Sequence, residues 1–344
     1  MTLGSGAVGQ TKDASMFADG AWEYGQVNSY CAGMKFVQAD GSLREISDQS
    51  DPDLLVAMRS SFGMLGILYE VTFRVKPLRA MAVEHVAYSL NEFASGMDEL
   101  LARKQAMMLY LYPFQDRVVV EYRSHTTKPV RPSSLVWKFR NAIWKTIWPF
   151  IANLLRFLPV QPLRNGITGL LNGLTRWVQT TLLRNDDASP ADQIIDYAET
   201  AGFASYTFSI WAVDRARYAD ALRAYFAFCK EYAGRTGYRC ELLNVGYHIV
   251  QDRSSLLSYS RHSDVLTLDP VATGQDGWFE FLKEYNEFCA DLGGRPLLNQ
   301  TPLLTPELMD KAYAEEMVEF KKYLAEMDPE QRFLNGFFRD ILSL

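Results

Sequence analysis

The stretch TLGSGAVGQTKDAS, residues 2–15, followed by GQVNSYCAGMKFVQADGSLREIS, residues 25–47, decides how the chain is read. Thr2 to Gly25 is rich in Gly, Ala and Ser and predicts a backbone-led loop. Ser29 to Val37 is an apolar strand ending in the hairpin signal Ala39-Asp40-Gly41, and Leu43 to Ile46 supplies the return strand. Asp51 to Ser60 spaces Leu54, Leu55 and Met58 along one helix face. The turn Gly63 to Gly66 then opens a strand, Ile67 to Val75, which Pro77 halts. Together these elements predict a small mixed α/β unit.

From Met81 the pattern lengthens. Strands are predicted at Ala82 to Ser89, Met107 to Tyr112, Val118 to Tyr122, Tyr206 to Val213, Glu241 to Val250 and Val265 to Leu268. Helices are predicted at Leu90 to Lys104, Ala216 to Gly234, Trp278 to Leu292 and Pro306 to Glu326. Strands and helices in this order imply an antiparallel sheet backed by helices, an α+β domain. At 344 residues the chain exceeds the span of one hydrophobic core.

Net charge is −6, which excludes nucleic acid as a general partner because counterion release needs a basic surface. The average hides a division. Between Arg123 and Arg184 stand ten Lys or Arg and no Asp or Glu, so the rest of the chain sums to about −16. Cys31, Cys229, Cys240 and Cys289 lack metal spacing, no charged-then-apolar leader precedes them, and no apolar run is long enough to span a bilayer. These features predict a cytoplasmic protein with no metal.

Three stretches resemble the flavoprotein superfamily of vanillyl-alcohol oxidase, with its PCMH-type FAD-binding domain. The nearest members are the aldonolactone (D-arabinono-1,4-lactone) and alditol oxidases and decaprenylphosphoryl-ribose oxidase. The first stretch is the opening pair quoted above; the second is SSFGMLGILYEVTFRVKP, residues 60–77; the third is GGRPLLNQ, residues 293–300, with DPEQRFLNGFFRDIL, residues 328–342. The resemblance implies the second subdomain of the FAD-binding domain over residues 1–78 and an antiparallel-sheet substrate (cap) domain over 79–327. Residues 328–344 would return to the FAD domain. It also implies a further half of the FAD domain before Met1, supplied by upstream sequence or by a second chain. The cofactor implied is FAD, and the reaction is oxidation of a hydroxyl carbon by hydride transfer to flavin. An alkene reductase of the sterol type and a non-catalytic remnant are the alternatives.

The implied cofactor residues are Gly4, Ser5, Gly6, Gly9, Thr11, Lys12, Gln26, Val27, Gly66, Ile67 and Asn335. Glycines let successive backbone N–H groups approach a ligand, although Gly4, Gly6 and Gly9 would equally form a surface turn, and Asn335 a helix cap. The family's catalytic Lys falls at Gln300, an amide that hydrogen-bonds but cannot act as a base. On the strand Leu243 to Val250, alternation sends Asn244, Gly246 and His248 to one face and Val245, Tyr247 and Ile249 to the other. His248 is the proposed base, being the side chain suited to take a proton near neutrality, with Asn299, Gln300 and Tyr247 orienting substrate. A hydrogen-bonded core histidine is the competing reading. His85 and His125 carry no case, and His262 reads as an exposed loop residue.

A basic insertion over 128–185 interrupts the substrate domain. Within LVWKFRNAIWKTIWPFIANLLRFL, residues 135–158, apolar residues recur at three and four spacing. Lys138, Asn141, Lys145, Thr146, Asn153 and Arg156 fall on one wedge, with Arg140 the exception, and Pro149 predicts a kink. Tryptophans opposite cations over 135–183 predict peripheral membrane contact and an amphiphilic substrate, while the resemblance implies a sugar-like one. A helical hairpin packed on its own domain is the other reading.

Overall fold

A computed structural model describes residues 2–130, 135–194, 205–274 and 276–343. Residues 131–134 of the basic insertion lie outside the described residues. An eight-stranded sheet organises the molecule. Its order is Arg295–Pro296, Trp211–Asp214, Val265–Leu268, Asn244–Ile249, Ala106–Tyr112, Arg117–Thr126, Ala80–Ser89 and Asn185–Pro190. Every neighbouring pair is antiparallel. A second sheet of three strands orders Leu43–Ser47, Cys31–Val37 and Ile67–Phe73. The α+β architecture expected from the sequence is the one observed.

Alternation along the central strands sorts two different interiors. Met107, Leu109, Leu111, Val118, Val120 and Tyr122 enter one apolar cluster with Phe93 and Met97 of the helix Leu90–Ala102 and with Leu222 and Tyr225 of Arg215–Thr236. Each such fully buried side chain contributes about 1.5–3 kcal/mol. The opposite face carries Met108, Tyr110, Val119 and Val245 and is covered by the basic insertion.

That insertion runs through Leu135–Ala142, a π-helical turn Ile143–Ile147, and Trp148–Leu155, then returns as Gln161–Thr181. The expected kink at Pro149 is expressed as the π turn. Pro149 has no N–H, and Trp148 N–H bonds back to the Ile143 carbonyl just ahead of it.

Three other sequence expectations are corrected. Thr2 to Gly25 is not all loop: Leu3–Val8 forms a helix because Thr2 and Ser5 make a reciprocal capping box, and Phe17–Ala18 pairs with Ala21–Trp22. Tyr206 to Val213 is not one strand, since Thr207–Phe208 pairs with Val271–Ala272 whereas Trp211–Asp214 joins the main sheet. Tryptophans of the insertion are mostly turned inward: Trp137 is buried and bonds Asp186, and Trp148 bonds Thr175. These two indole N–H groups thus have polar partners inside the protein, whereas Trp177 is exposed.

Candidate active site

A cavity of about 720 Å³ opens where the helix Leu3–Val8 meets the loop after Arg295–Pro296. Ser5 and Gly9 form one wall, and the amides of Asn299 and Gln300 stand in another. Flat aromatic rings, Phe62, Phe208, Phe337 and Phe338, line the rest. The two walls are tied together by Gln10. It lies fully buried, its side-chain oxygen accepts the Leu298 N–H at 2.7 Å, and its amide nitrogen donates to the Leu257 carbonyl.

Glycine at position 9 is a packing requirement. A Cβ there would stand 2.7 Å from the Ser5 carbonyl oxygen and 3.8 Å from Asn299 Nδ2. The cavity therefore keeps its width only with Gly at this corner. Its volume suits a cofactor-sized ligand, its rings suit a flat aromatic one, and its amides can meet polar ring edges. An isoalloxazine has these properties, so the residues present fit a flavin.

The sequence-derived residues divide by place. Ser5, Gly9, Asn299 and Gln300 converge on the cavity. Gly4 and Gly6 lie on the same short helix. Lys12 and Gln26 are buried deeper and bond residues far along the chain. Lys12 Nζ sits 2.8 Å from Asp269 and 3.6 Å over the Tyr247 ring, while the Gln26 amide donates to Ser258 and Ser260. The Val27 N–H donates to the Thr11 carbonyl at 3.0 Å.

Gly66 has φ +148°, and a Cβ there would meet the Phe36 ring at 2.7 Å, so its glycine is explained by sheet packing; Ile67 beside it is exposed. Asn335 caps the helix Gly336–Leu342, accepting the Phe338 N–H at 3.0 Å.

His248 occupies the face that alternation assigned to it, and this face is the one backed by helices. Its strand partner Leu266 belongs to the helix-backed cluster, and Asn244 on the same face bonds the Tyr225 hydroxyl. The ring is buried edge-on to Trp22 at 5.2 Å, with Asp264 3.8 Å from Nε2 and neither ring nitrogen hydrogen-bonded. The Asp264 carboxyl is held below its usual range, chiefly by the imidazole beside it. His248 does not line the cavity.

Sequence reasoning missed a buried ionic cluster on the other sheet face. Glu121 is fully enclosed, accepting from the Tyr110 hydroxyl at 2.7 Å and Arg123 Nε at 2.6 Å, with His85 Nε2 at 2.9 Å and Arg140 at 3.7 Å. Arg123 continues to Asp13, at 3.0 Å, next to Lys12. Burial raises the Glu121 carboxyl and the surrounding cations overcome it, leaving it well below the usual range. The overlooked signal was a Glu in a strand whose other positions, Val118, Val119, Val120 and Tyr122, are apolar on both faces.

Comparison with known proteins places these features in a lineage. The family model for D-arabinono-1,4-lactone oxidase matches residues 71–341. An L-gulonolactone oxidase of Bos taurus is 21% identical over 93% of this chain and 70% of that protein. An L-gulonolactone oxidase of Scyliorhinus torazame is 24% identical over 40% of this chain and 31% of that protein. Among solved structures, a cholesterol oxidase from Brevibacterium sterolicum superposes with TM-score 0.72 at 15% identity, covering 98% of this chain and 74% of that one. A glucooligosaccharide oxidase from Acremonium strictum, an FAD protein, superposes with TM-score 0.60 at 14% identity, covering 99% and 72%. At such identities the structural likeness shows the fold alone.

Proposed function

The chain belongs to the D-arabinono-1,4-lactone oxidase family, and from that premise we propose that it is an FAD-linked oxidoreductase that oxidises a hydroxyl carbon at the cavity between Gly9 and Asn299. The observation that carries the reading is the meeting of Ser5, Gly9, Asn299 and Gln300 around one aromatic-walled space, although nearly 300 residues separate the two walls. FAD, when bound, supplies the hydride acceptor. Ser5 and Gly9 would hold it from the N-terminal side, with Lys12 and Gln26 fixing the segment that carries them.

The amides of Asn299 and Gln300 would orient the substrate, since each both donates and accepts and so can grip a hydroxyl or a ring oxygen. Proton acceptance is assigned to His248, whose two unpartnered ring nitrogens leave it able to take one and whose neighbour Asp264 would steady the cation. Because the ring lies outside the cavity lining, the proton would travel through ordered water. Tyr247, held under the Lys12 ammonium, would shape the substrate side. The substrate class is a sugar-like lactone or an amphiphilic alcohol, with residues 135–183 forming a membrane-facing side. The domain limits are taken at 78/79 and 327/328; Phe338 packing on Phe62 at 5.2 Å and Arg332 bonding the Ala39 carbonyl support the return of the C-terminal segment.

The test is anaerobic mixing of the FAD-loaded full-length protein with an aldono-1,4-lactone and with a long-chain alcohol. Loss of absorbance near roughly 450 nm with either supports the reading. No bleaching by any hydroxyl substrate, with FAD demonstrably bound, contradicts it.

A further inference from the structure

The two arms of the basic insertion bury some polar side chains and expose several large apolar ones, although Trp137, Ala152 and Leu155 of the first arm are buried as well. On the first arm, Asn141 and Asn153 are buried toward the protein, and Asn153 donates to the Pro149 and Ser205 carbonyls at 2.8 and 3.0 Å. Phe139, Phe150 and Leu154 look outward from that arm. On the second, Thr168 and Gln179 are buried, Gln179 accepting from the Tyr112 hydroxyl at 2.7 Å, while Leu170, Leu174 and Trp177 are exposed. Phe157, 63% exposed, continues the apolar layer across the turn between the arms.

Water does not stabilise such a surface, and an apolar patch of this breadth marks an interaction face. The charge around it selects the partner. Residues 123–184 hold ten cations and no acid, so the arms themselves add only positive charge to the layer. At the turn, Arg156, Arg164 and Arg239 surround a small hollow of about 30 Å³ together with Glu241 and Asp276. Arg239 Nε is buried there without a hydrogen-bond partner, and burial pushes the Glu241 carboxyl up toward its neutral form. No described helix is long and apolar enough to cross a membrane, so both arms would lie in the interface plane.

We propose that the outward face of residues 135–182 rests in the headgroup layer of an anionic lipid surface, with Phe150, Phe157 and Trp177 below the headgroups and the guanidiniums at the turn meeting lipid phosphate. The proposal rests on the membrane-facing side named under the proposed function and is independent of the FAD chemistry. It deepens that reading by stating which face enters, in which orientation, and which lipid charge it takes.

The experiment is flotation of the full-length protein with vesicles of phosphatidylcholine alone and of phosphatidylcholine with phosphatidylglycerol, at about 0.05 and about 0.5 M salt. Flavin absorbance is recorded on the same samples. Binding is expected to the anionic vesicles, weakened by salt, and reduced about tenfold in Phe150→Ser/Phe157→Ser with flavin content unchanged. Absence of vesicle binding by the parent protein overturns the proposal. So does equal binding to both vesicle types, or a dimer in sedimentation that the double variant dissolves, which would make a second copy the cover. Flavin loss without loss of flotation would instead count against the functional reading alone.

Discussion

Two helical layers cover opposite faces of the same sheet, and they differ in how much polar side chain they bury and how much apolar side chain they expose. Leu90–Ala102 and Arg215–Thr236 turn Phe93, Leu222 and Tyr225 inward, with Glu99 and Arg223 left to solvent or the surface. The arms of the insertion turn Asn141, Asn153 and Gln179 inward and Phe150, Leu170 and Trp177 outward. The difference follows from what each layer covers. The helix-backed face is mostly aromatic and aliphatic, with Asn244 bonded to Tyr225, and asks chiefly for apolar area, whereas a face carrying Glu121, Arg123 and Tyr110 asks for hydrogen-bonding partners and counter-charge. Arg140 of the insertion supplies one such charge directly, bonding the Tyr110 hydroxyl at 3.0 Å.

The sharpest way to break this comparison is to neutralise the charged face. Glu121→Gln should cost about 3–5 kcal/mol in urea unfolding, because Arg140 and His85 would lose the carboxylate they face and Arg123 would keep only Asp13. A loss below about 1 kcal/mol would mean the cluster is not desolvated as described. On the aromatic face, Leu222→Ala should cost about 2–5 kcal/mol through the cavity it leaves, with no change in the pH dependence of stability.

The pH dependence separates the two faces further. The Glu121 carboxyl lies well below its usual range in the folded protein, so its contribution is complete above about pH 4.3 and is lost as pH falls toward its folded value. Unfolding free energy measured from pH 7 downward should therefore fall less steeply in Glu121→Gln than in the parent, while Leu222→Ala runs parallel to the parent. The smallest effect belongs to the outer side of the insertion. Phe157→Ser should change stability by no more than about 0.5 kcal/mol, since the ring is already in solvent. A larger loss would show that this ring is covered.

Much of the fold was legible because its signals are local. The predicted strand Val265 to Leu268 coincides with the observed one, and the turn at Ala39-Asp40-Gly41 is present with Gly41 at φ +85°. Four long helices were placed within a few residues of their ends, since period and caps are both written in sequence. Asn299 and Gln300 were proposed through a motif, and they line one cavity with Ser5 and Gly9. What could not be read was which sheet face each residue serves. Alternation grouped His248 with Asn244 and Gly246, but which group meets helices depends on contacts far along the chain. Likewise Asn141 and Asn153 of the polar wedge looked like part of a solvent face, where Lys138 indeed stays. Their inward turn is set by hydrogen bonds to Ser205 and by the polar sheet beneath, neither of which leaves a periodic trace.

The central claim is that the space between Gly9 and Asn299 receives the flavin. It is tested most directly by titrating FAD into the full-length protein and into Ser5→Trp, an exposed position on the cavity wall, while following flavin fluorescence and the thermal midpoint. The account predicts binding by the parent and at least about tenfold weaker binding by Ser5→Trp, a loss of about 1.4 kcal/mol, with stability lowered by no more than the lost Thr2–Ser5 capping box is worth, about 1 kcal/mol. Equal binding by the two proteins would place the flavin elsewhere and contradict it.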